Sequence, residues 1–154
     1  MTHVFLRRAL ALSPIAMAGS MICLASVAMG ASMSINLVER ATTDAVTDTG
    51  AKDDSAGDIL TFANELYDEA NTAKAGDDNG WCIRTVPAKA WECVATVTLA
   101  DGQLTVEGPF LDGKDSVWAV TGGTGKYMST RGDMQLHARN AEGSEYDFKF
   151  NLTE

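Results

Sequence analysis

Asn64 is a polar residue placed among apolar ones, since Phe62 and Leu66 lie two positions to either side of it. On a β-strand, residues two apart share a face, so this amide would point into a core. A buried amide that lacks hydrogen-bond partners costs roughly 1–3 kcal/mol. Either the protein itself or a ligand must satisfy Asn64, and the sequence leaves both alternatives open.

Two cysteines are placed where they can pair. Cys82 and Cys93 flank the segment IRTVPAKAWE, and a hairpin that turns at Pro87-Ala88 sets them directly opposite each other. Opposed residues of antiparallel strands come close enough for a disulfide. We predict a structural disulfide; a free reactive thiol is the less favoured alternative, because no histidine lies nearby in sequence to activate it.

Residues 120–132 read VTGGTGKYMSTRG, a glycine-rich segment around one lysine. A phosphate-binding loop requires a glycine where the chain has Val120 and Ser or Thr where it has Tyr127. A dinucleotide-binding motif requires a glycine where the chain has Met128. The spacing therefore excludes both motifs, and the glycines need another role.

Metal chemistry is poorly supported by the sequence. His137 is the only histidine after the first 31 residues, and its alternation with neighbouring residues predicts a surface position. Asp68, Glu69, Asp77 and Asp78 fit solvated strand ends and turns, and they lack the dense oxygen pattern of a calcium loop. We expect no metal site.

The first 31 residues are typical of an export signal. Arg7 and Arg8 precede a stretch without charge that runs to Glu39, and small residues up to Ala31 suit cleavage. The apolar stretch exceeds the usual ~7–15 residues, so an uncleaved membrane anchor is the alternative. Cleavage would remove two of the 12 basic and none of the 21 acidic residues, which leaves a net charge of −11. We expect a secreted or cell-envelope protein that binds no nucleic acid and meets a membrane only through this segment.

Short alternating strands are the elements that must position these residues. The final segment EYDFKFNLT alternates apolar and polar side chains, and turn dipeptides such as Asp101-Gly102 separate the apolar runs before it. This pattern predicts an all-β antiparallel sandwich or closed barrel. Residues 42–58 are acidic and rich in small residues, so we expect a mobile linker or long loop there.

The segment ILTFANELYDEAN at 59–71 fits two patterns. Ile59, Phe62 and Leu66 have helical spacing, whereas Leu60, Phe62 and Leu66 also share one face of a strand. The pattern alone favours a helix.

Several motifs in their order resemble the plant allene oxide cyclases: GDILTFANELYDEA, NGWC, DGQLTVEGPFL, and DSVWAVTGGTGKY with a later RG. The Gly-Gly-x-Gly turn is similar to that of dirigent proteins, and the ELYDEA block to that of bacterial spirotetronate cyclases. The resemblance implies a small eight-stranded antiparallel, calycin-like barrel with an apolar cavity. It implies a strand across 59–67. It also implies that the glycines of TGGTG form a tight connection between two strands. We divide the chain into a signal or anchor at 1–31, a first strand and acidic loop at 32–57, and a barrel at 58–154.

The resemblance also assigns roles to individual residues. Asn64 matches a water-binding asparagine, Cys82 a cysteine that shapes the cavity, and Phe110 a cavity aromatic. Glu39 matches, more loosely, the glutamate that the family has on its first strand. If Cys82 is bonded to Cys93, it becomes part of the wall.

The function expected from this resemblance is that of an exported cyclase or isomerase. Without a cofactor, it would steer ring closure of a flexible hydrophobic substrate, an oxidised lipid or polyketide-like metabolite, by shape and exclusion of water. Trp81 and Trp118 would bind this substrate if they point inward. The alternatives are a dirigent-like or lipocalin-like binder of a hydrophobic small molecule, and an envelope protein with a filled barrel. Homo-oligomers are compatible with each.

Overall fold

The computed structural model describes residues 30–153. Nine strands and one turn of 3₁₀ helix at Gly125–Tyr127 make up the regular structure. The strands are β1 (Ser32–Arg40), β2 (Ala45–Thr47), β3 (Ile59–Asp68), β4 (Lys74–Val86), β5 (Ala90–Leu99), β6 (Gly102–Leu111), β7 (Ser116–Gly123), β8 (Arg131–Ala138) and β9 (Glu145–Thr153). The expected export signal lies, up to residue 29, outside the described residues. No helix within 30–153 is long and apolar enough to span a membrane.

The sheet closes on itself. Strands β3 to β9 pair with their sequence neighbours, all antiparallel, and β1 pairs with β9 on one side and with β3 on the other. The short strand β2 pairs with the same edge of β3, beyond the point where β1 ends. Closure leaves no long unpaired edge. The predicted eight-stranded antiparallel barrel is confirmed.

The segment with two possible patterns is a strand. β3 pairs with β4 from Ile59 to Tyr67, apart from a register shift after Leu66. The helical spacing was therefore misleading, and the resemblance was right. Pairing on both sides of β3 satisfies its backbone, which a spacing argument does not take into account.

The barrel interior is packed at one end and partly open at the other. At the packed end several inward side chains are 0% exposed; they are Leu66, Val97, Leu104, Val106, Met134 and Phe150. At the other end, Leu60, Phe62, Phe110 and Tyr146 are only partly buried. This open end is where β1 finishes and where residues 41–58 begin.

The glycine-rich segment is a strand connection. Gly125 has φ +58°, and a side chain there would collide with the carbonyl oxygen of Asp101. Gly132 has φ +145°, and a side chain there would collide with the carbonyl oxygen of Asn151. Both positions need the backbone freedom and small size of glycine. The predicted structural role of these glycines is confirmed.

Candidate functional site

An interruption between β1 and β2 creates the site. Both strands pair with β3, but residues 41–44 between them leave the ladder. Asn64 of β3 lies opposite this gap, and its Oδ1 accepts hydrogen bonds from the backbone N–H groups of Thr42 and Thr43, both at 3.0 Å. The Thr43 hydroxyl donates to the same oxygen at 2.9 Å. The side chain of Asn64 thus replaces the strand partner that the gap removes.

The amide nitrogen of the same side chain forms hydrogen bonds with two carboxyl groups. Asn64 Nδ2 donates to Glu39 Oε1 and to Asp44 Oδ1, each at 2.8 Å. With both N–H groups donated and Oδ1 accepting three bonds, the amide has no free hydrogen-bonding position. Of the two alternatives that the sequence left open, the one in which the protein itself satisfies Asn64 is observed. The water-binding role that the resemblance implies for Asn64 stays a prediction.

Asp78 belongs to the same site and was placed wrongly from the sequence. It lies on β4 opposite Asn64 in the ladder and is 2% exposed, whereas a solvated strand end was expected. Its Oδ1 accepts a hydrogen bond from the Asn64 backbone N–H at 3.3 Å. Its Oδ2 is buried without a partner among the described residues. The available signal was its alternation with Gly76, Gly80 and Cys82, which puts it on the inward face of β4.

Burial changes the acidity of both inner carboxyl groups. Loss of hydration, followed by the negative charge of Asp78, holds the pKa of Glu39 well above its usual value, against the lowering effect of the Asn64 hydrogen bond. Burial also raises the pKa of Asp78 to about 7, while the neighbouring Glu39 carboxyl and the Asn64 backbone N–H oppose that rise. Both shifts favour the protonated forms of the pair.

A cavity opens beside Glu39 at the less packed end of the barrel. Its volume is about 70 Å³, which is room for about two waters at the ~30 Å³ that each occupies in the liquid. Glu39 and Asp44 are its acidic wall residues, and all the others are apolar or aromatic. These are Leu60, Phe62, Cys82, Cys93, Phe110, Trp118, Leu136, Tyr146 and Phe148.

The candidate aromatic residues divide between the two faces of the barrel wall. Trp118 is 3% exposed, lines the cavity, and donates its Nε1–H to the carbonyl oxygen of Pro109 at 2.8 Å. Phe110 packs edge-on against Tyr146 with ring centres 5.8 Å apart. Trp81, in contrast, is 45% exposed and is not part of the cavity wall. Trp81 was expected to bind substrate only if it points inward, and this condition is not met, because the odd-numbered residues of this part of β4 face outward.

The predicted disulfide is present. Cys82 and Cys93 are directly opposed on β4 and β5 and are bonded, with Cα atoms 4.0 Å apart. Both residues line the cavity. Cys82 is therefore a fixed part of the wall, as expected for a bonded cysteine.

Ion pairs tie the acidic loop of residues 41–58 to the barrel. Arg84 is 9% exposed, bonds to Asp54 at 2.6 Å and Asp112 at 2.7 Å, and stacks on the Trp91 ring with its guanidinium carbon 4.0 Å from the ring centre. A buried cation held by two acids and an aromatic face keeps the loop in place near the mouth. The segment expected to be a mobile linker or long loop is a loop with fixed contacts and a short strand, β2.

A closed antiparallel barrel with a partly empty, mainly apolar interior and an acidic site is the architecture of small-molecule-binding barrels. The family model of allene oxide cyclase matches residues 26–140, so the chain belongs to the allene oxide cyclase family. This confirms the resemblance found in the sequence.

Solved structures with related folds have diverse descriptions. A pyocyanin demethylase superposes with a TM-score of 0.68 at 24% identity, over 79% of this chain and 100% of its own. The pterocarpan synthase dirigent protein PsPTS1 gives 0.69 at 13% identity, over 82% of this chain and 97% of its own. The Diels Alderase AbmU from Streptomyces koyangensis gives 0.66 at 20% identity, over 80% of this chain and 64% of its own. At these identities the likeness establishes the shared barrel fold.

Proposed function

We propose that this protein is a cyclase or isomerase that binds a flexible hydrophobic molecule in the barrel cavity and uses Glu39 as its catalytic acid. One observation carries the proposal: a buried carboxyl group, fixed by Asn64, lines a cavity that is otherwise almost entirely apolar. The pKa of Glu39 is raised by burial, which favours the protonated form that can donate a hydrogen bond.

The proposed reaction rearranges bonds within one substrate. Glu39 donates to a carbonyl or epoxide oxygen of the substrate, which gains electron density as its C–O π or σ bond gives up an electron pair to oxygen. The carbon skeleton closes a ring with its own π electrons. A conjugated carbonyl then regains its C=O double bond, whereas the oxygen of an opened epoxide that was bound to an alkene carbon forms a new one, and in both cases any proton taken up by the oxygen returns to Glu39. Faces of cavity rings such as Phe110 stabilise positive charge on the carbon skeleton. The product has the mass of the substrate, and the scheme uses no cofactor.

The charge of the site limits the substrate. Tyr146 lies in the cavity wall, and its pKa is raised first by burial and then by the negative charges of Glu39, Asp44 and Asp112. With Glu39 protonated, Asp44 is the remaining acidic group of the cavity wall, so an anionic group would be repelled there. We propose that the part of the substrate that enters the cavity is neutral or cationic.

The size of the cavity sets a further requirement. Space for about two waters is less than a polyene or polycyclic molecule occupies. The partly buried side chains at the mouth, Leu60, Phe62, Phe110 and Tyr146, must therefore move apart when such a ligand enters.

Two probes test the proposal. An unsaturated epoxide methyl ester represents the neutral polyene class, and pyocyanin represents flat aromatic molecules, because one structural neighbour is described as a pyocyanin demethylase. The Trp81→Phe variant removes the exposed tryptophan, so saturable quenching then reports on Trp118 in the cavity and on Trp91 near the mouth.

Turnover is followed by chromatography and mass spectrometry. We expect a product of unchanged mass with the parent protein, at least about tenfold less with Glu39→Gln, and no change with Glu107→Gln, an exposed control. Equal turnover by the parent and Glu39→Gln would contradict the role of Glu39.

The second candidate is a binder that orients a hydrophobic molecule without catalysing a reaction. The predominantly apolar wall favours it. Saturable binding with no product in either probe class, and unchanged binding in Glu39→Gln, would select this function over the first.

We also propose that the protein is exported and works outside the cytoplasm. The Cys82–Cys93 disulfide supports this location, because such bonds persist mainly in oxidising compartments. N-terminal sequencing of the protein recovered from the cell envelope or medium tests whether the first 31 residues are removed. Recovery with free thiols from the cytoplasm would contradict export.

A further inference from the structure

The structure places two carboxyl groups, Glu39 and Asp78, on either side of Asn64. Strand β3 lies between β1 and β4, so inward residues of those two strands meet across an inward residue of β3. Glu39 accepts from the Asn64 side chain at 2.8 Å, and Asp78 accepts from its backbone N–H at 3.3 Å. One residue thus fixes both acids.

Within residues 30–153, neither acid forms a salt bridge with a cation. The hydrogen-bond partners of Asn64 Nδ2 are both acids, Glu39 and Asp44. Glu39 is 6% exposed and Asp78 2% exposed. Two adjacent buried carboxylates without a cation are strongly unfavourable, and a proton between them removes one charge and supplies a hydrogen bond.

The unpartnered atom of Asp78 points to the same arrangement. Asp78 Oδ2 is buried and has no donor from residues 30–153. A carboxylate oxygen in this position needs a donor, and Glu39 supplies one only when it is protonated.

We propose that Glu39 and Asp78 form a carboxyl pair that shares one proton, held on Glu39, and that Asp78 is the positioning residue which keeps that proton in the site. Asp78 is absent from the cavity wall, so it acts through Glu39. The consequence for catalysis rests on the proposed function, but the shared proton can be tested without any substrate.

The Glu39–Asp78 pair predicts a specific titration behaviour. Interacting acids lose their protons in two separated steps that belong to the pair. The last proton should leave at a pH well above that of an ordinary glutamic acid, because burial and, after it, the Asp78 negative charge oppose ionisation of Glu39. Asp44 and Tyr146 face the same site, and Asp112 acts on Tyr146, so the steps include their influence.

Infrared difference spectroscopy of the full chain, titrated with alkali, measures this directly through the carbonyl band of a protonated carboxyl group. In Asp78→Asn, the amide keeps the shape of the side chain and can donate to Glu39. We expect its last protonated carboxyl to disappear at least about one pH unit lower than in the parent, a tenfold change in proton affinity. Asp77→Asn, which removes the neighbouring exposed carboxyl, should titrate like the parent. A midpoint in Asp78→Asn equal to or above that of the parent overturns the proposal.

A second variant keeps the test informative if Asp78→Asn fails to fold by circular dichroism. In Glu39→Gln, the band that persists to the highest pH should be lost, since that proton resides on Glu39. If this band persists in a folded Glu39→Gln, the assignment is wrong. Loss of the band without any turnover of the probes would leave the pair in place and refute only the proposed catalytic function.

Discussion

Buried Asp78 should make the folded protein less stable as the pH rises. Its pKa is raised from 3.8 to about 7, first because burial disfavours the charged form. A carboxyl whose pKa is higher in the folded than in the unfolded chain stabilises the fold while it is protonated. That contribution is complete below the unfolded pKa and is lost as the pH rises through 7. Glu39, whose pKa is also raised, extends the loss to higher pH.

The size of the effect follows from the pKa. The change from 3.8 to about 7 corresponds to a loss of roughly 4 kcal/mol between a pH below 3.8 and a pH above 7, of which roughly 3 kcal/mol falls above about pH 5. This is a large share of the total stability of a small domain. Exposed acids act in the opposite direction at low pH: backbone hydrogen bonds lower the pKa of Asp68, so its contribution is lost as the pH falls. Stability should therefore be highest in mildly acidic solution.

Urea unfolding of the oxidised protein, repeated from about pH 5 to about pH 9, measures how the free energy of unfolding changes with pH. We expect the parent to lose stability across this range, and Asp78→Asn to lose much less, so that the variant is the more stable protein at the alkaline end. Asp77→Asn should follow the parent. A parent whose stability is constant or rises over this range, or an Asp78→Asn variant with the parent's slope, would refute the reasoning.

Three further perturbations test the fold and the site. Replacing both Cys82 and Cys93 by alanine should lower the free energy of unfolding by roughly 3 kcal/mol, measured in urea, because the bond closes a loop with a sequence separation of 11. Gly132→Ala should lower the free energy of unfolding by about 3 kcal/mol or more, since its side chain would collide with the backbone. Gly113→Ala, at φ +67° with open space around it, should lower it by only about 1 kcal/mol. Equal melting temperatures of the two variants would contradict the predicted collision. Asn64→Asp should destabilise by roughly 3–5 kcal/mol at neutral pH and recover partly in acid, because it replaces two donors by a further carboxyl beside Glu39, Asp44 and Asp78; thermal melts that do not depend on pH would argue against this.

The fold was predictable because its signals are local. Alternating strands, the turn at Asp101-Gly102 and the facing cysteines each depend on a few neighbouring residues. The segment 59–71 shows the limit of such signals, since its spacing favoured a helix and only the ordered motifs identified a strand. Strand pairing on both sides of β3, which no local spacing encodes, decides the outcome.

The site was predictable only in part. Asn64 was found because a polar residue between apolar ones is visible in the sequence, and Glu39 because a related family has a glutamate on its first strand. The hydrogen bonds that Asn64 accepts from Thr42 and Thr43 depend on the break between β1 and β2, which turns both residues toward it. Where a strand is interrupted cannot be read from an acidic, small-residue segment.

Asp78 shows why the centre of the site escaped prediction. It follows the exposed Asp77 in the run Asp-Asp-Asn, where charged neighbours indicate a solvated turn. Only the order of strands in the closed barrel brings it to Asn64, because β3 is flanked by β4 on one side and by β1, with Glu39, on the other. The carboxyl pair is thus a product of topology, and its two members are 39 positions apart in the chain. A barrel of the same sequence pattern that placed β1 next to β4 would give Asn64 a different pair of neighbours, so the acidity of Glu39 depends on how the barrel closes.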